Sequence, residues 1–163
     1  PLNPTLFVTS HVNGQADPYI CNGVGLTNIF FLALALNRDG SVNSCSNPAK
    51  AGSEITLFVN GLGTYAGTQI TGSLIADPKP VYPFFQSPAA AFVNGLATAI
   101  DSFTDEPGAI SGLSQVQVHL PTAGISQGLD YVGLSVNGVS AGPFRAGTSQ
   151  GTVPASVAVF VSP

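Results

Sequence analysis

The chain of 163 residues has the length of one domain, and hydrophobic residues make up 44% of it, enough to supply a core. Charged residues make up only 7%, against about 25% in an average soluble protein, and the formal net charge is -4. So few cations cannot form a phosphate-binding surface, which excludes nucleic acid, and no apolar run reaches the roughly 18 residues of a membrane-spanning helix.

The amino-terminal part of the chain predicts an arm. Two prolines precede a short apolar strand at Leu6, Phe7 and Val8, and the residues after it are rich in Gly and Asn, which predicts a loop. We expect residues 1–28 to form this arm and an insertion loop that pack on the rest of the chain, residues 29–163, as one structural unit.

The next run, IFFLALAL at residues 29–36, is apolar on both faces. Such a run suits either a buried helical segment or a strand covered on both sides. Its length and the turn sequence Asn-Arg-Asp-Gly behind it favour the strand.

Three later runs predict the main strands. Residues 54–59 are β-branched and aromatic, and residues 115–120 alternate strictly, with Val116, Val118 and Leu120 facing inward. Residues 156–161 form a last strand with valines on one side.

Several other segments predict shorter elements. Residues 69–75 alternate weakly and indicate a strand, whereas residues 77–88 carry four prolines and indicate an extended or edge segment. Residues 89–100 have helical propensity, but Asn-Gly in the middle splits them like a hairpin, and residues 101–112 predict a polar connection. Residues 129–136 precede a second Asn-Gly, a strong hairpin signal. Short strands between Gly and Pro turns, without helical periodicity, predict an all-β antiparallel sandwich.

Only two cysteines occur, Cys21 and Cys45. The loop-rich, charge-poor chain has the character of an exported protein, in which a Cys21–Cys45 disulfide is favoured over two free thiols. Met is absent, which indicates a processed form or a fragment.

Three phrases carry a family resemblance: NRDGSVNS-SNPAKAGSEITLFVNGLG from residue 37, SGLSQVQVHLPTAG from residue 111 and LDYVGLSVNGVSA from residue 129. They resemble the uncharacterised Solibacter-type C-terminal domain of secreted acidobacterial proteins. The resemblance implies export, an Ig-like β-sandwich and no catalytic residues. The segment between Gln15 and Asn37 departs from the family pattern, so the resemblance says least about the structure of this segment.

Few residues suggest site chemistry. Tyr82, Phe84 and Phe85 could form a platform for stacking a sugar, although core or lid packing is the simpler interpretation without Trp. Asp101, Asp105 and Glu106 could hold calcium, but a solvated turn is favoured, and a tight turn is likewise favoured over a calcium loop at residues 37–43. His119 is expected on the solvated face of its strand. No nucleophile motif or cofactor motif occurs, so we expect neither catalysis nor a cofactor.

The sequence therefore favours a secreted or cell-surface structural or adhesive protein, such as the self-assembling subunit of a surface fibre. Edge strands are normally guarded by charges, whereas the terminal strands carry none. A neighbour could therefore pair with them, and the self-assembly candidates are Leu6, Phe7, Val8, Val157, Val159 and Val161. The alternative is an accessory module that binds carbohydrate or protein within a larger secreted protein.

Overall fold

The computed structural model describes residues 4–11, 31–61, 74, 89–105, 108–109, 112–125, 127–143 and 156–163. The protein is all-β, and these residues include no helix. Their strands are β1 (Thr5–Leu6), β2 (Val8–His11), β3 (Phe31–Ala33), β4 (Ala35–Asn37), β5 (Ala49–Lys50), β6 (Glu54–Asn60), β7 (Ala90–Val93), β8 (Leu96–Thr98), β9 (Ile100–Asp105), β10 (Leu113–His119), β11 (Gly128–Val136), β12 (Val139–Ser140), β13 (Gly142–Pro143) and β14 (Ser156–Ser162). No helix in this part of the chain is long and apolar enough to cross a membrane.

The strands form two sheets. The first sheet has the order β13-β1-β6-β10-β9, with β4 also pairing with β6. The second has the order β2-β3-β14-β11-β7-β8, with β12 pairing with β11 and β5 pairing with β14. Most pairs are antiparallel, but β14 runs parallel to β3 and β5, and β1 runs parallel to β13.

One hydrophobic core lies between the sheets. In the first sheet, the inward residues alternate along β6 and β10, where Leu57 pairs with Val116 and Ile55 with Val118. In the second sheet, β11 and β14 contribute side chains to the same core, including Val132 and Val159. This alternation follows from the period of two of a strand that has one face in the core and one toward solvent.

Within the described residues, the chain passes from one sheet to the other at four single residues, the fourth being Ala141 between β12 and β13. The chain leaves the first sheet for the second at Phe7, and the reverse crossing occurs at Leu34. The two crossings are bonded together, because the Leu34 amide donates to the Phe7 carbonyl at 2.9 Å and the Phe7 amide donates to Phe58 of β6 at 3.0 Å. A third crossing at Ala99 joins β8 to β9. Main-chain groups at the crossings are therefore hydrogen-bonded although they lie between the two sheets.

The structure confirms the strands predicted over residues 54–59, 115–120, 129–136 and 156–161. Both Asn-Gly hairpins are also confirmed, since Asn94 and Asn137 have φ of 51° and 53° and each is followed by a Gly with positive φ. The run at residues 29–36 is a strand in part, but within the described residues it is split at Leu34 between two sheets. Residues 77–88 lie outside the described residues, as do residues 69–75 apart from the exposed Leu74.

The prediction of a polar connection from residue 101 is wrong, because β9 occupies residues 100–105. The cause is a β-bulge. Gln117 pairs with Ser102 while Val118 pairs with Ile100, so Asp101 is the extra residue. Ile100 and Phe103 therefore both pack against the core although they are three residues apart, a spacing that strict alternation does not predict.

Candidate functional site

The turn between β4 and β5 is held by a network of polar side chains, which we call the asparagine network: Asn37, Asp39, Ser41, Asn43 and Asn47. The Asn37 amide donates to the Asn47 carbonyl at 2.9 Å, and the Asn47 amide donates to the Ser41 hydroxyl at 2.7 Å. Asn43 donates to the Asn37 side-chain oxygen at 2.9 Å. The side chains of the network thus satisfy one another.

Asn43 also connects this network to the last strand. Its side-chain amide donates to the carbonyl of Phe160 at 2.8 Å, and its side-chain oxygen accepts from the amide of Phe160 at 2.8 Å. This edge of β14 is paired with β3 at Ala158 and with β5 at Val161. The side chain of Asn43 therefore replaces a strand between those two partners and satisfies main-chain groups that are buried.

Asp39 shapes the exposed tip of the same turn. Its carboxylate accepts from both the hydroxyl and the amide of Ser41, and these two bonds, the hydroxyl bond first, lower the pKa of Asp39 below its ordinary value. Gly40 follows with φ of 81°, a conformation that suits glycine. The residues that resemble the start of a calcium loop thus form a hydrogen-bonded turn, in agreement with the favoured interpretation.

The amino-terminal assembly candidates lie inside the fold of the single chain. Leu6 is fully buried and pairs with Val59 of β6 on one side and Pro143 of β13 on the other. Val8 is half-buried, packs against the core and pairs with Ala33 of β3. The arm therefore fills positions in both sheets.

The carboxy-terminal candidates are also interior. Val157, Val159 and Val161 are buried in the core, and β14 has β11 along one edge and β3 and β5 along the other. The outer face of β14 is covered as well, because Ala158 and Phe160 cluster with Leu32. In the isolated chain β1 and β14 are therefore paired along both edges, whereas β2 lies at the end of the second sheet and is paired with β3.

Of the three acidic candidates, the structure describes the side chain of Asp101. Asp101 faces His119, with 3.7 Å between the His119 Nδ1 and an Asp101 carboxylate oxygen. The backbone of Asp105 lies in β9, and Glu106 is outside the described residues. Among the residues that are described, no group of three acidic, His or Cys side chains could hold a metal ion. His119 is exposed by 43%, as predicted for the solvated face.

Two further predictions fall outside the described residues. Tyr82, Phe84 and Phe85 of the suggested sugar platform are not described, and neither is Cys21. Cys45 lies beside the outer cluster of Leu32 and Phe160, and the described part of the chain contains no free cysteine. The Cys21–Cys45 pairing stays a prediction.

A groove on the outer face of the second sheet was not predicted. It is open to solvent, has a volume of about 580 Å³ and is lined by Phe92, Asn94, Gly95, Tyr131, Gly133, Leu134, Ser135, Ser140 and Ser156. Gly133 lies at its centre, because it pairs with Phe92 of β7 on one side and Ser156 of β14 on the other. Tyr131 and Ser135 are its neighbours along β11 on the same face. We call this the Gly133 groove.

One end of the Gly133 groove is fixed by Asn94. The side-chain oxygen of Asn94 accepts from the amide of Tyr131 at 2.9 Å, and its side-chain amide donates to the carbonyl of Gly124 at 3.1 Å and to the buried Asp130 carboxylate. The bond from Asn94 therefore holds the Tyr131 backbone in a defined place beside the groove. The Tyr131 side chain is 39% exposed, and its partial burial raises the pKa of its hydroxyl.

Compared with known proteins, this chain matches no family model, no curated protein and no solved structure. The resemblance to the Solibacter-type domain therefore stays a prediction.

The sequence contained part of the signal for the Gly133 groove. Alternation over residues 129–136 places Tyr131, Gly133 and Ser135 on the face opposite Val132 and Leu134. It does not tell which strands flank β11, because the partners Phe92 and Ser156 are far away in the chain. The groove depends on this long-range register.

Proposed function

We propose that this chain is a non-catalytic structural module of the cell exterior that assembles with copies of itself by exchanging its amino-terminal strands. The proposal includes an Ig-like β-sandwich and a Cys21–Cys45 disulfide. In such an assembly, β1 and β2 of one copy occupy the positions in the next copy that they fill here in their own chain.

The burial of Leu6 between β6 and β13 carries this proposal. β1 is only two residues long and β2 only four, and Leu6 of β1 is fully buried. Burying a leucine contributes about 1.5–3 kcal/mol, so one side chain provides much of the attachment of β1. β1 and β2 occupy a slot, by which we mean the positions beside β6, β13 and β3. These three strands belong to the rest of the chain.

The energetics favour exchange over addition to an edge. An exchanged strand makes the same contacts in the new copy as in the old one, so the net cost of swapping is low. Residues 5–10 carry no charge that would oppose pairing with a neighbour. β14 is a poor candidate for exchange. It contributes three valines to the core and is paired along both edges, so its removal would expose the core and leave the neighbouring strands without a partner.

The geometry also suits a head-to-tail chain of subunits. Thr5 pairs with Asn60 at the end of β6, whereas the carbonyl of Ser162 accepts from the amide of Ala51, close to where β6 begins. The seven residues of β6 span roughly 20 Å, so the start of β1 and the end of β14 lie near opposite ends of β6. A head-to-tail contact whose rotation does not close a ring extends into a filament.

The test uses a chain that starts at residue 12 and a synthetic peptide of residues 1–11. We expect the shortened chain to bind the peptide with one-to-one stoichiometry, measured by isothermal titration calorimetry. We also expect the whole chain, refolded from denaturant at rising concentration, to form oligomers in steps of 16.5 kDa in light scattering. Negative-stain microscopy of the refolded material would then show filaments.

Two altered peptides provide the control. Leu6→Asp places a charge in the buried slot and is expected to abolish binding, whereas Thr5→Asp places the same charge on the half-exposed face and is expected to retain it. A folded shortened chain that ignores the wild-type peptide, or a whole chain that remains monomeric after refolding at every concentration, would overturn the proposal. Mass spectrometry of a non-reduced digest would test the Cys21–Cys45 bond separately.

A further inference from the structure

We propose that the Gly133 groove binds a neutral carbohydrate, with Phe92 and Tyr131 stacking against sugar rings. This inference is independent of strand exchange, and it locates the carbohydrate-binding alternative at residues different from those suggested by the Pro-rich segment. The volume of about 580 Å³ lies within the roughly 300–1,000 Å³ of small-molecule sites.

The chemistry of the lining selects the ligand. None of the residues that line the groove carries a formal charge, so neither a phosphate nor an acidic or cationic ligand would find a counter-ion there. The lining instead offers two aromatic rings and three serine hydroxyls. A pyranose presents an apolar C–H face to the negative face of an aromatic ring and its hydroxyls to the surrounding polar groups.

The aromatic side chains are placed at a suitable spacing. Phe92 pairs with Gly133, and Tyr131 lies two residues before Gly133 on the same face, so the two aromatic residues are diagonal neighbours about 7–8 Å apart. Gly133 has no side chain, and a ligand can therefore approach the backbone of β11 between the rings.

The hydroxyls of the serines remain available. No hydrogen bond within the described part of the chain engages the side chains of Ser135, Ser140 and Ser156. Asn94, in contrast, already uses its side chain on Tyr131, Gly124 and Asp130. We therefore assign ligand hydrogen bonds to the serines and a positioning role to Asn94.

The pairing of β11 disfavours a peptide as the ligand. β11 is bonded to β7 along one edge and to β14 and β12 along the other. Its main chain therefore offers no free row of donors and acceptors, and a peptide could not add to it as a strand. A ligand on this face has to be recognised by side chains, as a sugar is.

The test is a glycan array of neutral gluco-, manno-, galacto- and xylo-oligosaccharides together with acidic ones, followed by calorimetry on the best neutral binder. We expect Tyr131→Ala and Phe92→Ala each to weaken binding about five- to tenfold, and Gly133→Val to abolish it because the valine fills the groove. The matched control is Phe58→Ala, which removes a half-buried aromatic from the outer face of the other sheet and should leave binding unchanged.

Three results would overturn the proposal: no neutral glycan binds, only acidic glycans bind, or a folded Gly133→Val variant binds as tightly as the wild type. Tyr131 is exposed enough for its truncation to be tolerated. If Gly133→Val does not fold, the Tyr131→Ala result decides, and unchanged binding in that variant refutes the assignment.

Discussion

Replacing Asn43 by alanine tests whether the asparagine network holds the last strand in place. The change removes three hydrogen bonds: one to Asn37 and two that pair with the backbone of Phe160. The bond to Asn37 contributes about 1 kcal/mol net, and the buried amide and carbonyl of Phe160, left without these partners, each cost about 1–3 kcal/mol. We therefore expect a loss of about 3–7 kcal/mol, a large part of the roughly 5–15 kcal/mol that stabilises a domain.

Urea denaturation followed by circular dichroism measures this loss. The midpoint should fall with little change in the slope, and the melting temperature should fall by roughly 10–20 °C for a chain of this size. Asn60→Ala is the control, because Asn60 is exposed and, among the described residues, its side chain accepts a local bond from the amide of Gly61. A loss below about 1 kcal/mol for Asn43→Ala, no larger than that of the control, would refute the role assigned to the network.

Two further predictions concern side chains at turns. Asn94→Gly allows the positive φ without strain but removes the bonds to Tyr131, Gly124 and Asp130. We therefore expect the free energy of unfolding, measured by urea denaturation, to fall by about 1–3 kcal/mol. Asn137→Gly, at the corresponding place of the other hairpin, should cost only a few tenths of a kcal/mol, and equal losses in the two variants would contradict the positioning role of Asn94. The bonds from Ser41 lower the pKa of Asp39, so their contribution to stability is present above the unfolded pKa and is lost as the pH falls through the folded value. The gap in denaturation midpoint between wild type and Asp39→Asn should therefore shrink from about pH 6 to about pH 2, and a gap that does not depend on pH would show that the Asp39 charge plays no part.

The sequence predicts a strand well wherever one face of the strand is buried and the other is exposed to solvent. Residues 115–120 alternate because Val116 and Val118 face the core while Gln115 and Gln117 face away, and this local pattern contains all the necessary information. Residues 29–36 show where alternation alone does not determine the structure. A segment that crosses from one sheet to the other needs apolar residues on both faces, so nothing in the run marks Leu34 as the crossing.

The same limit applies to the candidate sites. The phrase at residues 37–47 predicted a turn, but the bond between Asn43 and Phe160 joins residues 117 positions apart. The Gly133 groove likewise requires the register that brings Phe92 and Ser156 beside Gly133. An uncharged terminal strand, finally, looks the same in sequence whether it is an edge or, like β14, the interior of a sheet.

The opposite placement of the first and last strands has a mechanical consequence. A pulling force applied through Thr5 and Ser162 would run along the strand axes, because these residues lie near opposite ends of β6. The bonds of β14 to β11, β3 and β5 would then be loaded in shear and would resist together instead of opening one after another. A string of such subunits would transmit tension lengthwise, with the asparagine network clamping the strand that bears the load.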